Sequence, residues 1–533
     1  MKKKKIKTFI LKNRCLILIL FFALILRIVF FVGLVGSDPQ DDGIYFNNAM
    51  QIYRNGIQNF SRYRNIDENY LANPAETFSF RPMVNYPIAF FLKLLGPSEY
   101  SGGIYSLLCS IGIMFVVFFF CKIFFNEKVG LLAVFLVSIF PLNVIYSTRI
   151  LSDMELAFFS SLSFLIFINA INKENKILFL LSGFILGLGY LIKILALLVV
   201  PFMIFYILKK YQKEKKINYN FIFFIIGFLI IFLIEGMFYY SQSGNFLLNY
   251  HISSTAYKFK YETEVSGSIN VGKFLEIRYN TGVPIYHLKN TLFFGEHRNG
   301  INLFGFFYFF VLASIIYSIL KKKNLLLVLW VLIIFLYLEF GFINLEFHEN
   351  KLIYFMIFKD PRFLTLITVP SIILMSYFLL EVRSLNKKIF NFLILILFIT
   401  SLLYIQKDYN IYRNSLNDLR ETTNFLIQNN EKIIFGDYLA INNIEIFSKF
   451  KLKNLKFLNK DTKIEELNNS YVILGGSRGF DVMTDYVFSI SPEFIREFTL
   501  NNEKIPNNWV LIKQINENKT PTRRFDLKIY YVK

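Results

Sequence analysis

Long apolar runs recur along the first three quarters of the chain, and they constrain its fold more than any other feature. A run of about 18 or more apolar residues is long enough to cross the hydrocarbon core of a bilayer as a helix. The 533-residue sequence is 55% hydrophobic and 18% aromatic, with 64 Phe, which is too apolar for a soluble protein of this length. The sequence therefore predicts an α-helical polytopic membrane protein.

The basic loops between the apolar runs predict an orientation. By the positive-inside rule, the MKKKK start lies in the cytoplasm, and the run after it is a retained first helix, too long for a signal peptide. Eleven helices, alternating from there, put the densest Lys clusters inside, at 2–5, 209–216, 321–323 and 387–388. The predicted location is the plasma membrane. The predicted helices are about 15–36, 103–124, 129–146, 154–171, two within 176–208 with an outer bend near Lys193, 220–240, 301–320, 324–343, 361–380 and 389–405.

Two domains are expected from the change in composition near residue 405. Residues 1–405 form the transmembrane part, with long outer loops at 37–100 and 241–300, and residues 406–533 form a small α/β domain on the outer face. In this tail the strand-like runs KIIFGDY, LKFLN and YVILGG alternate with the helix-like runs INNIEIFSKF and TKIEELNN. The GGSRG stretch at 475–479 is interpreted as a glycine turn after a strand rather than a phosphate-binding loop.

Charge and cysteine content exclude some classes of function. The formal net charge is +20, but the lysines sit in short loops where topology explains them, so no nucleic-acid partner is expected. Cys15, Cys109 and Cys121 lie in or beside predicted membrane helices, and no disulfide is predicted. The four histidines are in or near outer loops, and isolated interface residues are favoured over a metal site. No cofactor or metal is expected.

Two adjacent acids, Asp41 and Asp42, follow the first apolar run in the stretch SDPQDDGIYF. They suit the N-terminus of the amphipathic segment 44–55, which predicts a short helix on the membrane surface with Gly56 as its stop. One acid is enough for a helix cap. The second acid leaves open an acid–base function for the pair.

Other charged residues are expected on the same face of the membrane. Each alone predicts an interface anchor, but several ionisable groups converging at one membrane face indicate a site, because such groups are costly there. They are Arg81 with Tyr86 in the first outer loop, Arg149, Asp153 and Glu155 between helices 3 and 4, Lys193 at the outer bend, and Lys359, Asp360 and Arg362 before helix 10. Arg27, inside helix 1, is expected to have a structural partner within the bundle.

The stretch DDGIYFNNAMQIYRNG resembles the first-loop pattern of polyprenyl-phosphate-sugar glycosyltransferases with the GT-C fold. These include the dolichyl-phosphate-mannose protein mannosyltransferases (glycosyltransferase family 39) and the aminoarabinose transferases. An acidic pair is followed by Tyr45, Ala49 and Gly56. The segments RPMVNYPIAFFLKLLG, FPLNVIYSTRILSDMELAFF, GLGYLIKILALLVVP and PRFLTLITVP resemble later family segments in order, over about the first 380 residues. The second acid is Asp42 where relatives often have Glu, and one Pro follows Arg81 instead of two.

The resemblance implies an inverting sugar transfer on the outer face. The donor would be a sugar on a polyprenyl phosphate, and the acceptor would be a glycan, a lipid or a protein. Membrane lipids are the other expected partners. Asp41 would be the general base, and Asp42 or Asp153 would orient either this base or the acceptor. Arg81, Lys193 and Arg362 would hold the phosphate, which needs no metal. The remaining expected substrate contacts are Tyr45, Tyr86 and Arg149.

Two other functions remain open at the sequence level. A transporter or flippase of lipid-linked sugars predicts charges near the midplane and repeated halves, whereas most acids here lie in outer loops and no repeat is evident. A membrane anchor for the outer domain would need far fewer helices than eleven. Sugar transfer is favoured over both.

Overall fold

The chain is described here from a computed structural model. The structure describes residues 14–34, 41–64, 74–215, 219–255, 305–340, 342–348, 351–356, 361–413, 417–429, 432–449, 451–476, 492–500, 504–515 and 525–533. Two compact units divide the chain. The first unit comprises Met1–Phe31, Ile57–Pro87 and Ile104–Lys407, and the second comprises Val32–Gly56, Ile88–Gly103 and Asp408–Lys533.

Helices make up most of the chain before residue 413. Six of the described helices are long and apolar enough to cross a membrane, or seven if one bent pair is a single span, so the prediction of a polytopic helical membrane protein is confirmed. The number eleven stays a prediction, because other apolar helices are shorter than 18 residues. The helices are α1 Arg14–Val29, α2 Asp41–Asn55, α3 Pro82–Leu95, α4 Glu99–Phe124, α5 Glu127–Ile139, α6 Pro141–Ser147, α7 Asp153–Lys173, α8 Lys176–Tyr190, α9 Val200–Glu214, α10 Ile222–Ser243, α11 Phe307–Leu320, α12 Leu325–Phe340, α13 Thr368–Leu385 and α14 Lys387–Tyr412.

One unpredicted break and one predicted bend place residues of the site. The predicted helix 129–146 is the bent pair α5 and α6, whose axes differ by 58°. Phe140 is extended there and Pro141 opens α6, as expected because proline has no N–H to continue the ladder of α5. Within 176–208 the predicted bend is confirmed: α8 ends at Tyr190, and Lys193 is extended before the short 3-10 helix Ile194–Val199.

Close backbone contact fixes α8 against α10. A Cβ added at Gly183 would clash with the carbonyl oxygen of Phe224, and one added at Gly227 would clash with that of Leu180. Small residues at such crossings let membrane helices pack backbone to backbone. A hairpin that the sequence analysis did not predict, β1 Phe342–His348 paired antiparallel with β2 Lys351–Met356, follows α12.

The tail forms a five-stranded mixed sheet with the order β4-β3-β5-β7-β6. β3 is parallel to β4 and β5, and β7 is antiparallel to β5 and β6. The three predicted strands are confirmed as β3, β4 and β5, whereas β6 and β7 were missed. The elements are α15 Asn417–Gln428, β3 Ile434–Gly436, α16 Tyr438–Phe447, β4 Leu455–Phe457, the 3-10 helix Ile464–Leu467, β5 Ser470–Gly476, α17 Glu493–Leu500, β6 Trp509–Ile515 and β7 Phe525–Val532.

The acidic pair opens a helix within the second unit. α2 begins at Asp41, so both acids lie in its first turn. It ends before Gly56, which has a φ of +78° and donates its N–H to Ile52, a helix end that glycine favours. Nine of the 15 residues of α2 are buried. The predicted helix and its stop are confirmed, and its position on the membrane surface stays a prediction.

Candidate functional site

Asp153 is the centre of a buried ionic cluster in the first unit. It is the first residue of α7 and is fully buried. Its Oδ1 lies 2.8 Å from Lys193 Nζ, and its Oδ2 lies 3.9 Å from Arg362 Nε. A buried carboxylate is costly unless it is paired, so the two cations explain how Asp153 is tolerated. The three side chains come from α7, from the break after α8 and from the 3-10 helix Pro361–Ile367.

The helix break after α8 turns Lys193 into the bundle. The backbone of Lys193 is extended, with φ −157° and ψ 143°, while its N–H still bonds to Gly189 at 3.2 Å. The Lys193 side chain is only 8% exposed. A continuous helix would place residue 193 in register with α8, whereas the break lets its ammonium reach the carboxylate of Asp153.

The segment Pro361–Ile367 contributes three contacts to the cluster. Thr365 Oγ1 donates to the backbone oxygen of Asp153 at 3.3 Å. The ring of Phe363 has Lys193 Nζ at 5.2 Å and Arg362 Cζ at 5.5 Å from its centroid. Cations at this range are attracted by an aromatic face. Phe363 therefore stabilises two like charges near each other.

Arg81 adds a third positive charge around Asp153. It interacts electrostatically with both Asp153 and Lys193, and its Cζ lies 4.4 Å from the centroid of the Phe78 ring. Arg81 directly precedes Pro82, the first residue of α3, and its carbonyl accepts from Val84 and Asn85. Lys193, Arg362 and Arg81 therefore all act on Asp153, and Glu155 also acts on Lys193. Fixed cations grouped in this way suit an anionic ligand.

The other predicted site residues lie in different surroundings. Arg149 is buried, with its Cζ 5.7 Å from the Tyr146 ring centroid, and Tyr86 accepts from the N–H of Gln58 at 3.3 Å. Asp41, Asp42 and Tyr45 all belong to α2 in the second unit; Asp42 and Tyr45 are buried there. Lys359 and Asp360 lie outside the described residues, as do His287 and His297.

Two buried acids extend the polar part of the first unit. Glu155, two residues after Asp153, accepts from Ser106 Oγ at 2.7 Å. Glu235 in α10 accepts from Asn249 Nδ2 at 2.8 Å. The sequence predicts Glu155 at the outer end of helices 3 and 4 without a role, and Glu235 was not predicted. A carboxylate inside the apolar run FLIIFLIEGMFYY was the available signal, because such groups are rare in membrane helices.

A family model matches part of this chain, and solved structures resemble nearly all of it. Residues 77–240 match the family model described as dolichyl-phosphate-mannose-protein mannosyltransferase. No curated protein sequence matches the chain.

Solved structures resemble nearly the whole chain in fold. ArnT from Cupriavidus metallidurans bound to undecaprenyl phosphate superposes with a TM-score of 0.57 at 10% identity, covering 97% of this chain and 98% of that one. The apo state of ArnT gives 0.56 at 11% identity, covering 96% and 97%. The oligosaccharyltransferase of Archaeoglobus fulgidus in its apo form gives 0.53 at 13% identity, covering 87% of this chain and 69% of that one.

These matches confirm the resemblance stated from the sequence. The family model falls on the part of the chain that carries Arg81, Asp153 and Lys193. The solved structures show the fold over both units. The chain is a multi-pass membrane protein with the GT-C fold of these solved structures, and its residues 77–240 resemble the dolichyl-phosphate-mannose-protein mannosyltransferases.

Proposed function

We propose that this chain moves a sugar from a polyprenyl-phosphate donor to an acceptor on the outer face of the plasma membrane, with inversion. The observation that carries the proposal is the grouping of Lys193, Arg362 and Arg81, which all act on Asp153. Fixed cations offset the charge of a leaving phosphate. The bound undecaprenyl phosphate of ArnT, a protein of the same fold, supports this class of donor.

The proposed reaction forms one bond and breaks one at the anomeric carbon. The acceptor oxygen attacks this carbon, and the bond from the carbon to the phosphate oxygen breaks. Polyprenyl phosphate leaves with the electron pair, and the acceptor proton goes to Asp41. A carboxylate serves as such a base when it lies within hydrogen-bond reach of the acceptor. Attack opposite the leaving phosphate inverts the configuration.

The cluster residues have separate roles in this proposal. Arg81, Lys193 and Arg362 bind the donor phosphate, and Asp153 holds the ammonium and the guanidinium in place. Asp42 is proposed to orient Asp41 or the acceptor, and Tyr45, Tyr86 and Arg149 are proposed to contact the substrates. We also propose that the N-terminus is cytoplasmic and that the tail 406–533 lies outside, with a glycan, a lipid or a protein as the acceptor.

The Asp41→Asn variant tests the base. We expect it to lose transfer by about 100-fold or more while it folds and binds donor like the unaltered protein, since the substitution is isosteric. The assay uses purified protein in detergent with a panel of polyprenyl-phosphate sugars and follows donor consumption and product formation. Full activity of Asp41→Asn would refute the assignment.

The same assay separates transfer from transport. Detergent removes the two compartments, so a flippase would consume no donor. Donor consumption with formation of a glycosylated product therefore supports the enzyme. If no sugar in the panel is consumed with any acceptor class, and donor moves across proteoliposomes instead, the flippase alternative replaces the proposal.

A further inference from the structure

The helix that carries the acidic pair and the C-terminal tail belong to one compact unit. The second unit joins Val32–Gly56 and Ile88–Gly103 with Asp408–Lys533. α2 therefore packs with the tail, although more than 350 residues separate them in sequence. This arrangement raises the question of which contacts hold α2 in place.

One carboxylate connects three segments of this unit. Glu99, the first residue of α4, accepts from Arg420 through both oxygens, with Nε at 3.0 Å and Nη2 at 2.7 Å. Its Oε2 also accepts the backbone N–H of Leu34 at 3.2 Å. Leu34 is the last described residue before α2. The tail is thus connected, through Glu99, to the chain that enters α2.

The geometry of the Arg420–Glu99 pair favours a strong contact. Both side chains are mostly buried, at 26% and 19% exposure. Parallel bonds from the guanidinium fork fix direction as well as distance. Two more contacts fix Arg420 itself: Nη1 donates to Asn417 at 3.1 Å, and Cζ lies 5.1 Å from the Phe447 ring centroid.

A second contact connects the other end of α2 to the tail. Arg54, in the last turn of α2, has Nη2 3.4 Å from Glu445 Oε1 in α16. Both side chains are more than a third exposed, so this pair contributes little on its own. The Arg54–Glu445 pair matters because of where it lies. Together with the Arg420–Glu99 pair, it connects the tail to the chain on both sides of Asp41 and Asp42.

We infer that Arg420 and Glu99 are positioning residues, through which the tail fixes the acid-bearing helix α2 for sugar transfer. The inference rests on the proposed function of Asp41. It gives the tail a role in catalysis without contact to substrate. A displacement of about 1 Å at a reacting group costs orders of magnitude in rate, so loosening α2 reduces turnover even when the donor still binds.

The test compares Arg420→Ala, Arg420→Lys and the charge exchange Glu99→Arg/Arg420→Glu in the full-length purified protein. Lys504→Ala is the matched control, because Lys504 pairs with Glu497 at 3.2 Å on the surface of the same unit, with 52% and 46% exposure. The measurements are kcat, the donor KM, and amide hydrogen exchange over residues 41–55 and over β5.

Arg420→Ala is expected to lower kcat by about tenfold or more with the donor KM within about twofold. Amide hydrogen exchange over residues 41–55 is expected to rise, while the amides of β5 stay protected. Arg420→Lys loses less, since one charged contact remains. The charge exchange recovers only part of kcat, because an arginine at position 99 restores the ion pair but cannot accept the N–H of Leu34. Lys504→Ala changes none of these quantities.

Two results would overturn the inference. In the first, Arg420→Ala leaves kcat and the exchange over 41–55 unchanged. In the second, exchange rises equally over α2 and β5, which makes the pair an ordinary fold contact. Failure of the proposed function is distinguishable: the unaltered protein would then transfer no sugar, while the exchange measurements still report whether Arg420 holds α2.

Discussion

Arg27 in α1 and Asp153 in α7 are both fully buried charged side chains of the first unit, but their surroundings differ. Arg27 donates to Ser110 Oγ at 2.9 Å and to Asn143 Oδ1 at 2.6 Å. It also donates to the backbone oxygens of Ala23 and Ser138. All four acceptors are neutral. Asp153 instead has a cation beside each oxygen.

The two arrangements suit different purposes. The hydrogen bonds of Arg27 end on α4, on the last turn of α5 and on α6, so they secure the bend at Phe140 and use donors on all three guanidinium nitrogens. Around Asp153 the side-chain partners are charged, and Asp153 Oδ2 lies 3.9 Å from Arg362 Nε. A charged group bonded to neutral acceptors is expected to stabilise the fold, whereas cations grouped around a carboxylate are expected to bind an anionic ligand as well.

The largest effect is expected from Asp153→Asn. The substitution leaves Lys193 and Arg362 buried without their counter-charge, which costs about 3 kcal/mol or more of stability, and transfer falls by about 100-fold. The measurements are the thermal unfolding temperature in detergent and the transfer rate per folded molecule.

A second variant separates the two losses for Asp153. Asp153→Asn/Lys193→Met removes one charge of each sign, so stability recovers while transfer stays low. If transfer recovers together with stability, the ionic cluster is only a fold contact, and the contrast with Arg27 disappears.

Arg27→Met is expected to have a smaller effect, on stability alone. The acceptors of Arg27 lose their donors, although Ser110 Oγ still donates to Asn143 Oδ1 at 2.6 Å. The expected cost is about 2 kcal/mol, with donor KM and transfer rate per folded molecule within about twofold of the unaltered protein. A folded Arg27→Met protein that has lost transfer would place Arg27 in the same functional class as Asp153.

The sequence predicted the Asp153 cluster better than the Arg27 cluster, for a physical reason. Charged residues at the ends of apolar runs are visible in a sequence, and Asp153, Lys193 and Arg362 were predicted to meet on one face. The sequence showed only that Arg27 needs a partner in the bundle. Its partners, Ser110 and Asn143, are neutral residues within apolar runs, and nothing in their types marks them as acceptors.

Elements that depend on distant pairing were the least predictable. The apolar runs located most helices within a few residues, and Pro141 marked the break that was read as one helix. β6 and β7 pair with each other and with β5 across the tail, so their extended form depends on partners that a local pattern does not reveal. α2 likewise shares a compact unit with the tail, more than 350 positions away, and no local pattern in the sequence reveals that grouping.

Thr365→Val gives the smallest expected effect and sharpens what holds Asp153. Thr365 Oγ1 donates to the backbone oxygen of Asp153, so the variant removes one buried hydrogen bond while it keeps the side-chain shape. The expected loss is about 1 kcal/mol of stability, with transfer changed by about threefold at most. Thr365→Ser keeps the donor and serves as the control.

The comparison of Thr365→Val with Arg362→Lys then shows which contact places the segment Pro361–Ile367. Lysine keeps the charge but not the planar fork that suits phosphate, so Arg362→Lys should raise the donor KM and leave stability nearly unchanged. If Thr365→Val instead lowers transfer as much as Asp153→Asn, the hydrogen bond and not the ionic contacts positions this segment. The ionic contacts of Asp153 would then only stabilise the fold, as the hydrogen bonds of Arg27 to neutral acceptors do, and the distinction between the two buried groups would fail.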